Sequence, residues 1–167
     1  MSDFRAHSDG IKSDGYFDDR YGKYGLCENG TPVVSPPIRF VDAPKGTVSF
    51  AIVAEDKDAV MVSGFSWIHW LACNVHEDME EDASRNAPEF LQGVNSLVSI
   101  QGGRKTAAEA SFYGGMAPPD KDHLYEIHVY ALDCDLPLKN GFYMNELYRA
   151  MEGHVLAEST LKGRYRS

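Results

Sequence analysis

The apolar positions of this chain fall into short runs that read as strands more often than as helices. "TVSFAIVAE" at 47–55 is dense in β-branched and aromatic residues, the pattern of a buried strand. "SWIHWLACNV" at 66–75 is a second strand, apolar on both faces; strict alternation groups Trp67, His69 and Leu71 on one side and Ile68, Trp70 and Ala72 on the other. "LYEIHVYALD" at 124–133 alternates cleanly, with Tyr125, Ile127, Val129 and Ala131 facing one way and Glu126, His128 and Tyr130 the other, as a half-buried strand does. Met144, Leu147, Tyr148 and Met151 recur at i, i+3, i+4 and i+7, which predicts an amphipathic helix closed by Gly153. After it, "HVLAESTLKGRY" alternates as a final strand, with a second helix as the alternative.

The polar stretches between these runs carry turn chemistry. Residues 1–47 are rich in Gly, Asp, Ser and Pro and read as extended pieces joined by turns. "VVSPPIRF" at 33–40 cannot be helical, because Pro36 and Pro37 lack N–H donors and push Ser35 toward extended geometry. The stretch 76–123 holds the acidic run "HEDMEEDASRNAPE", read as a solvated loop or short helix, and the Gly/Pro-rich "FYGGMAPPDKDH". No internal repeat is present. Strands outnumber helices, so the expected fold is one mainly β domain over 1–167, with antiparallel sheets packed together and a helix or two covering an end.

Composition narrows the classes of function. The 167 residues, 43% hydrophobic and 25% charged, fit a soluble globular domain that buries roughly 70% of its unfolded surface. A net charge of −9 argues against nucleic acid and anionic membrane faces as partners, so any anion must be captured locally. Cys27, Cys73 and Cys134 are odd in number and widely spaced, which excludes a disulfide framework or paired zinc spacing and favours a reduced, cytoplasmic setting. The N-terminal segment lacks the apolar core of a signal peptide, and no run approaches the roughly 20 residues that span a bilayer. Stable membrane insertion is therefore not expected. The Asn29-Gly30-Thr31 sequon is read as chance in that setting.

Three places could carry chemistry. Asp56 and Asp58 follow a strand, where loops present polar groups over an apolar wall, although aspartates also end strands as simple turn formers. His69 lies between bulky apolar neighbours; a backbone carbonyl would satisfy it structurally, whereas a nearby aspartate would fix its tautomer, favour its cation and aim the other N–H at an anion. "GGMAPPDKDHLY" is a stiff loop that leads into His123 and Tyr125, which share a face at i and i+2 and can both donate to an oxyanion. Its ordinary reading is a proline turn with an incidental histidine.

Together these segments resemble the phosphatidylethanolamine-binding proteins, especially their bacterial Raf-kinase-inhibitor-like branch. "YGLCENGTPVVSPPIRF", "AEDKDAV", "IHWLACNV", "YGGMAPPDKDHLYEIHVYALD" and "ELYRAMEGHVLAESTLKGRY" match family segments in order through most of the chain. The resemblance implies a central antiparallel sheet packed on a smaller second sheet, Greek-key connections and one or two peripheral or C-terminal helices. It also implies a small anion pocket formed by Asp56, Asp58, His69, His123 and Tyr125 and rimmed by Gly115 and Pro118. Its implied ligand is phosphate, acetate or a phosphoethanolamine-like group, with no cofactor. Lys57 and Val60 stand where the family usually has prolines, Met116 and Ala117 alter the second loop, and Leu124 replaces a common arginine. These departures soften the first loop and remove a cation; Lys57 either replaces that charge or points to solvent.

The leading expectation is a binding or regulatory module in which His69, His123 and Tyr125 hold a phosphate-like or carboxylate group. Asp56 would orient a histidine, and Asp58 would share that task or receive an ammonium. Binding is expected to strengthen as pH falls toward 6. The alternative is an Asp/His-dependent hydrolase of a small ester or phosphoester. A metal held by Asp56, Asp58, His69 and His123 is a further reading, though "DKDAVM" lacks the glycine and glutamate of an EF-hand. Docking of a phosphorylated protein partner and formation of a homodimer are carried from the resemblance alone.

Overall fold

The computed structural model describes residues 3–86 and 89–167; Met1 and Ser2 of the N-terminal segment, and Ala87 and Pro88 of the acidic run, lie outside the described residues. Its strands are β1 (Arg5–His7), β2 (Cys27–Glu28), β3 (Thr31–Pro32), β4 (Arg39–Val41), β5 (Ser49–Asp56), β6 (Trp67–Val75), β7 (Leu91–Gly93), β8 (His123–Leu132) and β9 (Val155–Tyr165). Two helices, α1 (Val60–Ser63) and α2 (Met144–Met151), interrupt them.

Five strands make one antiparallel sheet in the order β7-β6-β5-β8-β9, while β1 pairs with β4 and β2 with β3. Strands β5, β6 and β7 are successive neighbours, and β8 returns over a long connection to lie beside β5, which is a Greek key. The mainly β expectation, with a large sheet, smaller sheets and few helices, therefore holds.

The continuous apolar run of β5 follows from its central place, because both faces are covered. Phe50, Ile52 and Ala54 join Tyr125, Ile127, Val129 and Ala131 of β8 under the N-terminal segment, which contributes Phe4, Phe17, Tyr21 and Ile38. The Phe50 ring stacks on Phe40 at 4.0 Å and on Phe4 at 5.8 Å, tying the β1–β4 pair to the main sheet. On the other face Ala51, Val53, Leu71 and Cys73 pack beneath Leu136, Phe142, Leu147 and Met151. Of the apolar stripe that its spacing predicts, helix α2 buries Leu147 and Met151 and half-buries Met144, while Tyr148 stays exposed. Its first turn is tied by Glu146, whose carboxylate accepts the Tyr143 N–H at 2.8 Å, and it ends before Gly153 at φ 79°. The C-terminal segment takes the strand alternative, as β9, with no second helix in it.

Two short elements had no clear sequence signal. Strand β7 has three residues and contains a glycine, yet it pairs with β6; Gly93 also lets Phe142 approach to where a Cβ would lie 2.6 Å from its ring. The single turn α1 follows Asp56, whose Oδ1 accepts the Ala59 N–H at 3.2 Å, and stops at Gly64 with φ 87°.

Strict alternation fails in β6. Ala54 pairs with Trp70, but the next partner of β5, Glu55, pairs with Ile68, so His69 is an extra residue in the ladder. This β-bulge leaves His69 and Trp70 on the same side and sends Ile68 to the opposite face, where it packs against the Leu71 and Cys73 cluster. The expected grouping of His69 with Leu71 and of Ile68 with Trp70 is thereby corrected. Without the extra residue, the imidazole would project from the face opposite Asp56.

Candidate functional site

Asp56 ends β5 and pairs directly with Tyr125 of β8, while His123 sits two residues earlier on the same face as Tyr125. The bulge delivers His69 to this face from the neighbouring strand. Over the three strand ends lies a cavity of about 330 Å³, walled by Trp67, Pro32, Leu97 and Val62 as well as by these side chains. Asp56, His69, Gly115, Pro118, His123 and Tyr125 all line it. Asp58 does not. Its carboxylate accepts the backbone N–H of Leu124 at 2.9 Å, so it anchors the β5–β6 connection to the start of β8.

The loop 113–119 forms one wall and is fastened by its backbone. The N–H of Gly114 donates to His69 O at 2.9 Å, and that of Gly115 to Pro32 O at 2.8 Å. Lys23 Nζ donates to Pro118 O at 2.8 Å. Only glycine fits at 115, because a Cβ would lie 2.5 Å from the Pro32 Cβ and 2.8 Å from the Tyr21 carbonyl oxygen.

The two histidines have different chemistry. Nδ1 of His69 lies 2.5 Å from Gly114 O, and a carbonyl can only accept, so Nδ1 carries the proton. Nε2 of His69 is buried and has no partner among the described residues. The ring stands edge-on to Tyr125 at 5.2 Å. Burial lowers the pKa of His69, against the pull of the Gly114 carbonyl and the Asp56 charge.

His123 is held at both nitrogens, Nδ1 by Asp56 at 2.7 Å and Nε2 by Asp120 at 2.8 Å. Two carboxylates flanking one ring require both nitrogens to donate, so His123 is an imidazolium. Burial opposes its charge, and the bonds to Asp56 and Asp120 override burial and raise the pKa. The sequence reading leaves one His123 N–H free for an anion; in the structure Asp120 takes it. The i, i+3 spacing of Asp120 and His123 in "PDKDH" was the available signal.

Tyr125 stays a phenol, because burial and the nearby Asp56 charge raise its pKa. Lys57 turns away to Glu126 at 2.6 Å and Glu55 at 3.6 Å. Among the described residues, no lysine or arginine lines the cavity. Around the mouth, Val62 from α1 and Leu97 and Gln101 from the 94–101 loop add a mainly apolar rim that no motif announced. Val60, Met61 and Ile100 extend the exposed apolar surface along the same two segments, Met61 being 80% exposed.

Residues 7–166 match a family model described as phosphatidylethanolamine-binding protein. The chain is 42% identical over 159 residues to the protein YxkA of Bacillus subtilis, covering 91% of this chain and 95% of the relative. A solved phosphatidylethanolamine-binding protein homologue from Chlamydia trachomatis superposes with a TM-score of 0.80 at 27% identity, over 100% of this chain and 99% of its own. E. coli YbcL, described as a member of the mammalian family, gives 0.75 at 25% identity over 98% of each chain. Among the described residues, no helix is long and apolar enough to cross a membrane.

Proposed function

Because the chain belongs to the phosphatidylethanolamine-binding protein family, we propose that its cavity binds a small acidic group and that the protein acts as a binding or regulatory module. Phosphate, a phosphomonoester such as phosphoethanolamine, or a carboxylate is the ligand. The observation that carries this reading is Nε2 of His69, a buried side-chain nitrogen without a hydrogen-bond partner among the described residues, on a residue that lines the cavity. A buried polar atom left unpaired costs about 1–3 kcal/mol, and a ligand atom removes that cost. Tyr125 adds its phenol to the lining, and Trp67 supplies a wall that reports on occupancy.

The test is titration of the protein with inorganic phosphate and with phosphoethanolamine, followed by Trp67 fluorescence and calorimetry. Saturable binding is expected, weakened about tenfold or more in His69→Ala and in Tyr125→Phe. Absence of binding in the unmodified protein, or equal affinity in the His69→Ala variant, overturns the proposal.

The hydrolase reading draws on the same bare Nε2, which has the form of a general base. The lining offers that reading the hydroxyls of Thr31 and Ser63 and, among the described residues, no cysteine; the Ser63 hydroxyl lies 2.9 Å from the Ala59 carbonyl oxygen and 2.8 Å from that of Phe65 and donates to one of them.

A further inference from the structure

We infer that this cavity selects oxyanions that still carry a proton, phosphate and monoprotonated phosphomonoesters, and rejects sulfate and sulfate monoesters of the same shape. This rests on the binding reading above and names its ligand class more narrowly.

The geometry fixes what His69 can offer. Its Nδ1–H is committed to the Gly114 carbonyl, 2.5 Å away, so a neutral ring keeps only the Nε2 lone pair for a further partner. A fully ionised oxygen placed there would set lone pair against lone pair. A P–O–H group would donate to it and satisfy the one unpaired buried atom of the site.

The alternative is that His69 becomes a cation and donates. The titratable groups around its ring are Asp56 at the end of β5, His123 and Tyr125 on β8, and Asp120 before β8; α1, over the mouth, contributes none. Asp56 favours the cation and the His123 imidazolium opposes it, while burial is the largest effect and lowers the pKa of the ring, favouring its neutral form. The charge balance points the same way. No lysine or arginine lines the cavity among the described residues, and the one imidazolium is already shared between Asp56 and Asp120. A dianion entering here gains no free cation. A monoanion with its own proton needs none.

Methyl phosphate and methyl sulfate separate these effects, because near pH 5 both are monoanions of nearly equal shape and only the phosphate ester carries a proton. The experiment measures both affinities for the full chain by calorimetry from pH 5 to pH 8, repeated on His69→Gln, whose amide can both donate and accept. The expected result is a preference for methyl phosphate of about tenfold or more at pH 5, the size of one unsatisfied buried acceptor. The preference should decline as the ester loses its proton near pH 6, and should collapse in His69→Gln. Inorganic phosphate, which keeps a proton across this range, should lose affinity less steeply. Equal binding of the two esters, or a preference unchanged in His69→Gln, overturns the inference and leaves the binding function standing. If neither ester nor inorganic phosphate binds, the binding reading itself falls, and this inference with it.

Discussion

Replacing Gly115 by alanine tests whether the wall of the cavity depends on a backbone-to-backbone approach. The added methyl would sit 2.5 Å from Pro32 Cβ and 2.8 Å from Tyr21 O. Carbon atoms pack at about 3.5–4.0 Å, so the overlap with proline is roughly 1 Å. Neither neighbour can swing aside. Pro32 belongs to β3, and the Tyr21 carbonyl accepts both the Tyr113 hydroxyl at 2.6 Å and the Met116 N–H at 3.3 Å. The loop must move instead, which strains the packing by about 1–3 kcal/mol and weakens the Gly115 N–H to Pro32 bond, worth about 1 kcal/mol more. A loss of about 2–4 kcal/mol is expected, or roughly 6–12 °C in Tm for a chain of this size. Gly114→Ala is the internal control. Its methyl would meet side-chain atoms rather than backbone, Asn95 Nδ2 and Leu97 Cδ1, both at 3.2 Å; Leu97 can yield, while the Asn95 amide is held by the Phe112 carbonyl at 2.7 Å and the Leu97 N–H at 3.0 Å. Its cost should be the smaller of the two, about 1 kcal/mol, offset in part by the reduced freedom of the unfolded chain. Urea unfolding followed by circular dichroism measures both. The Gly115 variant should also lose phosphate affinity, because the shifted loop withdraws the Gly114 carbonyl that holds His69. Equal losses in the two variants, or a loss under about 0.5 kcal/mol for Gly115→Ala, would show that the wall does not depend on this close approach.

Stability should depend on pH through two histidines with opposite signs. His69 stays neutral in the fold, so between its lowered pKa and the ordinary 6.5 the unfolded chain binds a proton that the folded chain refuses, and stability rises with pH. His123 keeps its proton above 6.5, so stability falls from there until the folded ring deprotonates. Each limb has a slope of at most about 1.4 kcal/mol per pH unit, giving a maximum near pH 6.5. Urea titrations from pH 5 to 8 should show the acid limb flattened in His69→Gln and the alkaline limb flattened in His123→Gln; a profile without a maximum, or the limbs exchanged, contradicts the assignment. Asp58→Ala should cost about 1–2 kcal/mol by leaving the Leu124 N–H unpaired, yet keep phosphate affinity within about twofold at temperatures where the protein is folded. A calorimetric loss of more than tenfold would return Asp58 to the cavity.

The elements that the sequence disclosed are those in which period and environment agree. Strand β8 alternates because one face is packed throughout, and α2 keeps its 3.6 period because only Leu147 and Met151 need burial. The candidate side chains were visible because carboxylates, histidines and a Gly/Pro loop are chemically conspicuous. What stayed hidden was pairing. The bulge at His69 is a property of two strands in register, and nothing in "SWIHWLACNV" marks one residue as extra. The partition of the acids was hidden for the same reason: Asp56, Asp58 and Asp120 look alike in sequence, while one holds the inner nitrogen of His123, one caps a backbone N–H and one takes the outer nitrogen.

That partition continues through the sheet and accounts for the missing cation. Glu55 and Glu126 lie directly opposite each other on the back face, one position from the Asp56–Tyr125 pair, and like charges in such a pair repel. The chain answers with Lys57 at 2.6 Å and Lys162 at 3.0 Å from Glu126, and with His128 at 2.9 Å from Glu55. The bond to Lys57, helped by Lys162, holds the Glu126 pKa below its usual range against the opposing effect of burial. The lysine that could have replaced a lost arginine at the cavity is therefore committed to the other side of the same strand ends. On the cavity side one imidazolium stands between two carboxylates, and the remaining ring spends its proton on a backbone carbonyl. With its cations allocated in this way, the proposed ligand is one that brings its own proton.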